Sequence, residues 1–199
     1  MKDLAFIFDF TNNDQFNEKI KKARDIGIRT IAFPDNNNDI KNIASQYHLN
    51  LVEHEASPEL SADWLKKLIQ AKQNKKALRV SVDLDNQYLS DINQWMHWYG
   101  HAINESVPSD LVASQGVTFE NFIASYQKYL FINNKDETQV TISGLEVAPE
   151  RVELIKNRDD LPFEFENGSL KITIPATDNW QAVRLQAHRP EDDLTDTQF

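Results

Sequence analysis

Leu4-Ala5-Phe6-Ile7-Phe8-Asp9-Phe10-Thr11-Asn12-Asn13-Asp14 carries the first structural unit of the chain. The apolar run has the length and content of a buried strand, and the polar quartet after it has the turn and N-cap chemistry that begins a helix. Phe16, Ile20, Ala23 and Ile26 then recur at helical spacing, and Gly27 sits where a helix C-terminus favours glycine. The same rhythm repeats outward from this unit. Residues 28–33 read as a strand, Ile40, Ile43, Ala44 and Tyr47 as a helix face, and residues 49–52 as a strand. Ser57-Pro58-Glu59 opens a third helix carrying Leu60, Trp64, Leu65, Leu68 and Ile69, with Ser57 as cap and Pro58 at the first helical position. Residues 78–82 form a fourth strand, and Leu89-Ser90-Asp91 starts a helix with Ile92, Trp95, Met96 and Tyr99 that closes at Gly100. Repeated strand–helix units predict a parallel sheet with helices packed on it, because parallel neighbours need helical crossovers.

The period changes at Pro108. From Val117 onward turn signals recur at Asn133-Asn134-Lys135-Asp136, Gly144, Pro149, Asn167-Gly168, Pro175 and Asp178-Asn179, with short alternating runs between them. Phe163-Glu164-Phe165-Glu166-Asn167-Gly168-Ser169-Leu170-Lys171-Ile172-Thr173-Ile174 reads as a hairpin, since Asn-Gly supplies the two positive φ angles of a type I′ turn. Residues 119–132 fit either a helix face or two strands by spacing alone. The fold class is therefore α/β plus all-β: a βα-repeat domain at 1–107, a linker at 108–116, a small antiparallel β-sandwich at 117–188 and an acidic tail at 189–199. Glu191, Asp192, Asp193 and Asp196 make that tail a solvated end.

The composition removes several classes of function. The 199 residues hold 21 Lys+Arg against 31 Asp+Glu, a net charge of −10, and no Cys. Disulfide scaffolds, thiolate metal sites and Cys nucleophiles are excluded. The acidic balance speaks against nucleic acid, whose binding rests on cations meeting phosphates, and against an anionic membrane surface. The apolar opening is too short and too acidic for a signal segment, and no window approaches a membrane span, so a cytoplasmic location is expected. Five glycines and no Gly-rich loop remove nucleotide binding of the usual kinds, no Gly-x-Ser-x-Gly elbow is present, and no cofactor is implied.

Chemistry in such sheets belongs at the carboxyl ends of the parallel strands. Those ends carry Asp9, Asp35, Glu53 and Asp83, the candidate catalytic carboxylates: a pair among them could do acid/base work on a sugar. The aspartates also fit the capping and Asx-turn role that Asp has at strand ends, Asp9 and Asp35 above all, since each precedes an Asn-rich turn. His54 and Asp85 stand beside them as candidate ligand-binding residues, His54 because imidazole holds or moves a proton near neutral pH. Trp98 is a candidate stacking surface for a sugar, while Trp64, Trp95 and Met96 read as helix faces buried on the sheet. His97 and His101 have i, i+4 spacing without a third ligand nearby, so no metal is expected.

The stretch from Leu78-Arg79-Val80-Ser81-Val82-Asp83-Leu84-Asp85 through Trp95-Met96-His97-Trp98-Tyr99-Gly100-His101-Ala102-Ile103 resembles the last strand and helix of the catalytic barrel in α-L-fucosidases of glycoside hydrolase family 29. Tyr129-Leu130-Phe131-Ile132, Val140-Thr141-Ile142-Ser143-Gly144-Leu145, Val152-Glu153-Leu154-Ile155 and Leu170-Lys171-Ile172-Thr173-Ile174-Pro175 are similar, in order, to the β-sandwich that follows that barrel. That order is why residues 119–132 are read as two strands. The resemblance implies a shortened or half barrel before a sandwich, since the ~105 residues available fall short of the roughly 200 that a full (β/α)8 barrel needs. It carries over no catalytic residue. Pro34-Asp35 stands where the family has a His pair, and Asp9-Phe10-Thr11 where it has His-Trp-Gly. The expectation is a truncated fucosidase-like chain without the family's hydrolysis, with a carbohydrate ligand and a homodimer that completes a barrel. The alternative is a small glycosidase that rebuilt a carboxylate pair from Asp9, Asp35, Glu53 and Asp83.

Overall fold

The structure, a computed structural model, describes residues 5–188. Strands β1 (Phe6–Phe10), β2 (Thr30–Ala32), β3 (Asn50–Val52) and β4 (Leu78–Val82) alternate with helices α1 (Phe16–Ile26), α2 (Asn38–Gln46), α3 (Trp64–Gln73) and α4 (Leu89–Asn104). The strands form one parallel sheet in the order β3-β2-β1-β4, so the first and fourth are neighbours. α1 ends where the sequence indicates: Gly27 takes φ 89°, and its N–H reaches the carbonyls of Ala23 and Arg24.

Pleating divides β1 between two faces, with Phe6, Phe8 and Phe10 on one and Ile7 and Asp9 on the other. The helices gather on the phenylalanine face. Lys19 of α1 lies over the Phe10 ring, Trp64 of α3 packs on Phe6 at 6.0 Å, and Trp95 of α4 meets Trp64 edge-on at 5.9 Å. Tyr99 tilts against Trp95 in the same cluster, where burial pushes its hydroxyl up to about 12.

The route into α3 corrects the sequence reading. After β3 the chain crosses the helix-free face and lays residues 58–60 beside β4: Glu59 pairs in parallel with Ser81, and the Ser81 amide donates to the Pro58 carbonyl at 2.8 Å. Ser57 and Pro58 therefore do not cap a helix. The Ser57 hydroxyl is bonded to Asp9 instead, and α3 begins only at Trp64. Because the chain re-enters beyond β4, each strand–helix–strand step advances in the same direction across the sheet, which keeps α3 on the face that α1 occupies. α4 likewise runs past Gly100 to Asn104, because Ala102 and Ile103 continue its buried stripe and offset the roughly 1 kcal/mol cost of an interior glycine. The Asn104 side chain then donates to the Gly27 carbonyl at 3.2 Å.

A second compact unit begins at Glu105. Its strands are β5 (Ser106–Pro108), β6 (Val112–Ala113), β7 (Val117–Asn121), β8 (Gln127–Ile132), β9 (Thr138–Ser143), β10 (Arg151–Leu154), β11 (Phe163–Glu166), β12 (Ser169–Ile174) and β13 (Gln181–Gln186). β6 lies in the stretch read as linker and β5 runs into it from the range read as the βα-repeat domain, and they pair with β9 and β7 respectively. Residues 119–132 are two strands, as the resemblance implies. The sheets β10-β13-β8-β7-β5 and β11-β12-β9-β6 are antiparallel and share one core, in which Leu130, Val152 and Val183 of the first meet Val140, Leu170 and Ile172 of the second. The β11–β12 hairpin turns through Asn167 at φ 50° and Gly168 at φ 74°, the two positive angles of its turn type. Residues 189–199, read as the acidic tail, lie outside the described residues, as does Leu4. Among the described residues no helix is long and apolar enough to cross a membrane.

Candidate functional site

The carboxyl ends of β1 and β4 hold two separate ionic networks. Asp9 is fully buried on the helix-free face of the sheet. Arg79 shares that face, since it registers with Ile7, and grips Asp9 with Nε to Oδ2 and Nη2 to Oδ1, both at 2.6 Å. The crossing segment supplies further donors: the Ser57 hydroxyl to Oδ2 and the Glu55 amide to Oδ1 at 3.4 Å. Arg79 in turn donates to the Glu53 carbonyl and pairs through Nη1 with the Glu55 carboxylate at 3.0 Å. Burial pushes the Asp9 carboxyl up, but the hydrogen bonds from Arg79, Ser57 and the Glu55 amide, with the charge of Arg79, outweigh it and hold it below the ordinary aspartate value. The hydrogen bond to Asp9 raises Arg79 correspondingly.

Asp83 is the centre of the second network. It accepts from the Thr11 hydroxyl at 2.7 Å, from Asn12 Nδ2 at 3.3 Å and from the Leu84 amide at 2.8 Å. Lys19 Nζ pairs with its Oδ1 at 3.0 Å and also donates to the side chain and backbone oxygens of Asn12. Lys19 is only 1% exposed, an ammonium drawn into the fold with each of its protons directed at an oxygen. Burial raises the Asp83 carboxyl, and the bonds from Thr11, Leu84 and Lys19 overcome that and leave it lowered. The quartet after β1 thus serves this network more than it caps α1, whose N-cap is Gln15 without a side-chain bond.

The side chains of the remaining predicted residues lie outside these networks. Asp35 is exposed and is held by its backbone, its carbonyl accepting from Asn13 Nδ2 at 2.7 Å. Glu53 engages Arg79 through its carbonyl, while its side chain and His54 face solvent. Asp85 is exposed in the turn after β4. Trp98 is on α4 and lines a cavity with Ile28, Arg29 and Leu49, which precede β2 and β3, so it stands at the opposite end of the sheet from Asp9. The four carboxylates are therefore not one cluster: Asp9 and Asp83 are tied to different cations, and among the described residues no hydrogen bond or ion pair joins the two.

Sequence reasoning missed Arg79, Lys19 and Ser57. Arg79 was visible as a cation inside an apolar strand, and its register with Asp9's face was the signal to follow. Lys19 looks like any polar position of α1. As it stands, the arrangement fixes two ionised carboxylates whose lone pairs are occupied by donors. It offers neither a protonated carboxyl to act as an acid nor an open oxygen to act as a nucleophile. Asp35, Glu53, His54 and Asp85 are exposed after β2, β3 and β4, a polar rim at the same end of the sheet.

No protein-family model and no curated protein matches the chain. Solved structures match it in fold. An α-L-fucosidase GH29 from Bacteroides thetaiotaomicron superimposes with a TM-score of 0.51 at 12% identity over 69% of this chain and 35% of its own. A second structure of a Bacteroides thetaiotaomicron GH29 α-L-fucosidase, trapped as a covalent intermediate, gives 0.50 at 13% identity, covering 63% of this chain and 32% of that one. A Thermotoga maritima α-fucosidase gives 0.47 at 15% identity over 63% and 34%. The chain resembles these fucosidases in part, and it spans about a third of the length of the structures it matches.

Proposed function

We propose that this chain keeps a carbohydrate-binding role on a fucosidase-type fold and does not hydrolyse glycosides. The observation that carries the reading is the state of Asp9 and Asp83. Each is engaged by a cation and by at least two further donors, and each is held below the ordinary aspartate value. A glycosidase needs one carboxyl raised toward neutrality to protonate the leaving oxygen and a second with a free face toward the sugar. The exposed rim of Asp35, Glu53, His54 and Asp85 offers acceptors and an imidazole of the kind that meet sugar hydroxyls.

The sheet order supports a barrel ancestry for the parallel unit. A closed parallel barrel sets its last strand beside its first, and here β4 lies beside β1 while the chain skips from β3 to residues 58–60 on the far side of β4. On this reading the unit is an arc of a barrel cut across its middle strands. Self-association would use the β3 edge, because residues 58–60 cover β4.

The test combines turnover and binding. With aryl α-L-fucoside and a panel of other aryl glycosides, no nitrophenol release above buffer is expected, while saturation-transfer NMR with free L-fucose and other monosaccharides is expected to show binding that weakens in His54→Ala and Asp85→Ala. Turnover that disappears in Asp9→Asn or Glu53→Gln would establish the small glycosidase instead. Absence of binding to every sugar would remove the carbohydrate role.

A further inference from the structure

A cavity of about 750 Å³ opens at the amino ends of the parallel strands, away from the two networks and lined wholly by the parallel unit. Its volume falls in the range of small-molecule sites. Its lining contradicts the charge of the chain. In a protein of net charge −10, Arg24, Arg29, His48, His97 and His101 converge on this space, and the one carboxylate among them, Asp25, is already bound by Arg24 Nε at 3.0 Å. Two aromatic surfaces accompany these donors. The Arg24 guanidinium lies 4.9 Å over the Tyr47 ring, and His97 meets Trp98 edge-on at 4.8 Å, with Trp98 still 40% exposed.

His48 stands in the turn between α2 and β3. It follows the C-terminus of α2 with φ 56°, the left-handed position at which helices favour glycine, and its N–H bonds back to the Ser45 carbonyl at 3.0 Å. Backbone preference favours Gly there, which leaves His48→Gly as a substitution that the turn accepts. Among the described residues no three His, Asp or Glu side chains gather as a metal-ligating group.

We infer that this cavity binds a small anionic molecule of sugar size, its phosphate or carboxylate met by the Arg29, His48 and His97 side and its ring by the Trp98 face. Arginine and imidazole N–H donors are matched to both oxyanions, and the indole supplies the apolar surface that a sugar ring covers. The site shares no residue with the strand-end rim, so the two readings fail separately.

The experiment is calorimetric titration of the full chain with glucose 6-phosphate, glucuronate and neutral glucose. One or both charged sugars are expected to bind and glucose to bind at least tenfold more weakly. His97→Gln is expected to weaken the charged ligand about tenfold, the loss of one charge-assisted hydrogen bond. His48→Gly keeps the decision independent of folding. Its thermal midpoint is expected to equal or exceed that of the parent, because glycine accepts the positive φ, while its affinity falls by a similar factor. No binding by either charged sugar, equal binding of glucose, or full affinity in both variants would overturn the assignment.

Discussion

Asp9 in β1 and Glu153 in β10 are both fully buried carboxylates that face an arginine on the adjacent strand, Arg79 of β4 for one and Arg184 of β13 for the other. Their surroundings differ. Both oxygens of Asp9 are bonded, and two of its donors, Ser57 and the Glu55 amide, come from the segment that crosses the sheet. Glu153 sits directly opposite Arg184 in the antiparallel register, and Arg151 Nη1 approaches its Oε2 at 2.9 Å without hydrogen-bond alignment. Two arginines therefore share Glu153, and Arg151 also holds the loop after β10 through the Asp160 carboxylate at 2.6 Å. The sandwich uses its buried carboxylate as a redundant ion pair within a sheet. The parallel unit uses its own to clasp a long connection, beside the backbone bonds between residues 58–60 and Ser81, and that clasp lies where an active site would be expected.

The largest test of this contrast is to remove one arginine at a time. Arg79→Met leaves Asp9 buried and unpaired and is expected to destabilise the parallel unit by about 3–5 kcal/mol, while Arg184→Met leaves Arg151 and is expected to cost the sandwich about 1–3 kcal/mol. Urea midpoints followed by tryptophan fluorescence and backbone amide NMR read both, and an equal or reversed order would remove the claim of redundancy. Next in size are two glycines. A Cβ on Gly116, at φ 83°, would fall 2.6 Å from the Phe131 carbonyl oxygen, whereas one on Gly27, at φ 89°, meets nothing closer than Met96 at 3.7 Å. Gly116→Ala is expected to cost roughly 2–4 kcal/mol and Gly27→Ala about 1 kcal/mol, read by the same denaturation curves. Ser57→Ala removes one donor from Asp9 and is expected to cost about 1 kcal/mol.

The smallest effect is in the pH dependence. Asp9 and Asp83 are held below their ordinary value of 3.8, so the stability they contribute is present above that pH and is lost as pH falls through their folded values. The thermal midpoint is expected to decline below about pH 4 in the parent and to decline less steeply in Asp9→Asn, compared from each protein's own neutral value.

Most of the architecture was legible because it rests on periodicity. The stripe on α1, its Gly27 stop and the Asn167-Gly168 hairpin each follow from local chemistry that tertiary contacts left intact. Ser57-Pro58-Glu59 misled because a cap signature is local, while the hydroxyl it offers was recruited by a carboxylate 48 positions away in the chain. Gly100 misled in the same way, since the apolar stripe beyond it outweighs a single glycine. The site was half visible. Asp9 and Asp83 were found as acids at strand ends, but their partners Arg79 and Lys19 are assigned only by the sheet register and by the way α1 lies on Phe10, and neither can be read from spacing.

The central claim, that the strand-end carboxylates are locked in their ionised form, is tested most directly by carbon-detected NMR titration of the Asp9 and Asp83 carboxyl groups in the folded protein. Both are predicted to titrate below 3.8. A value for either in the roughly 5–7 range of a general acid would contradict the account and return this site to catalysis.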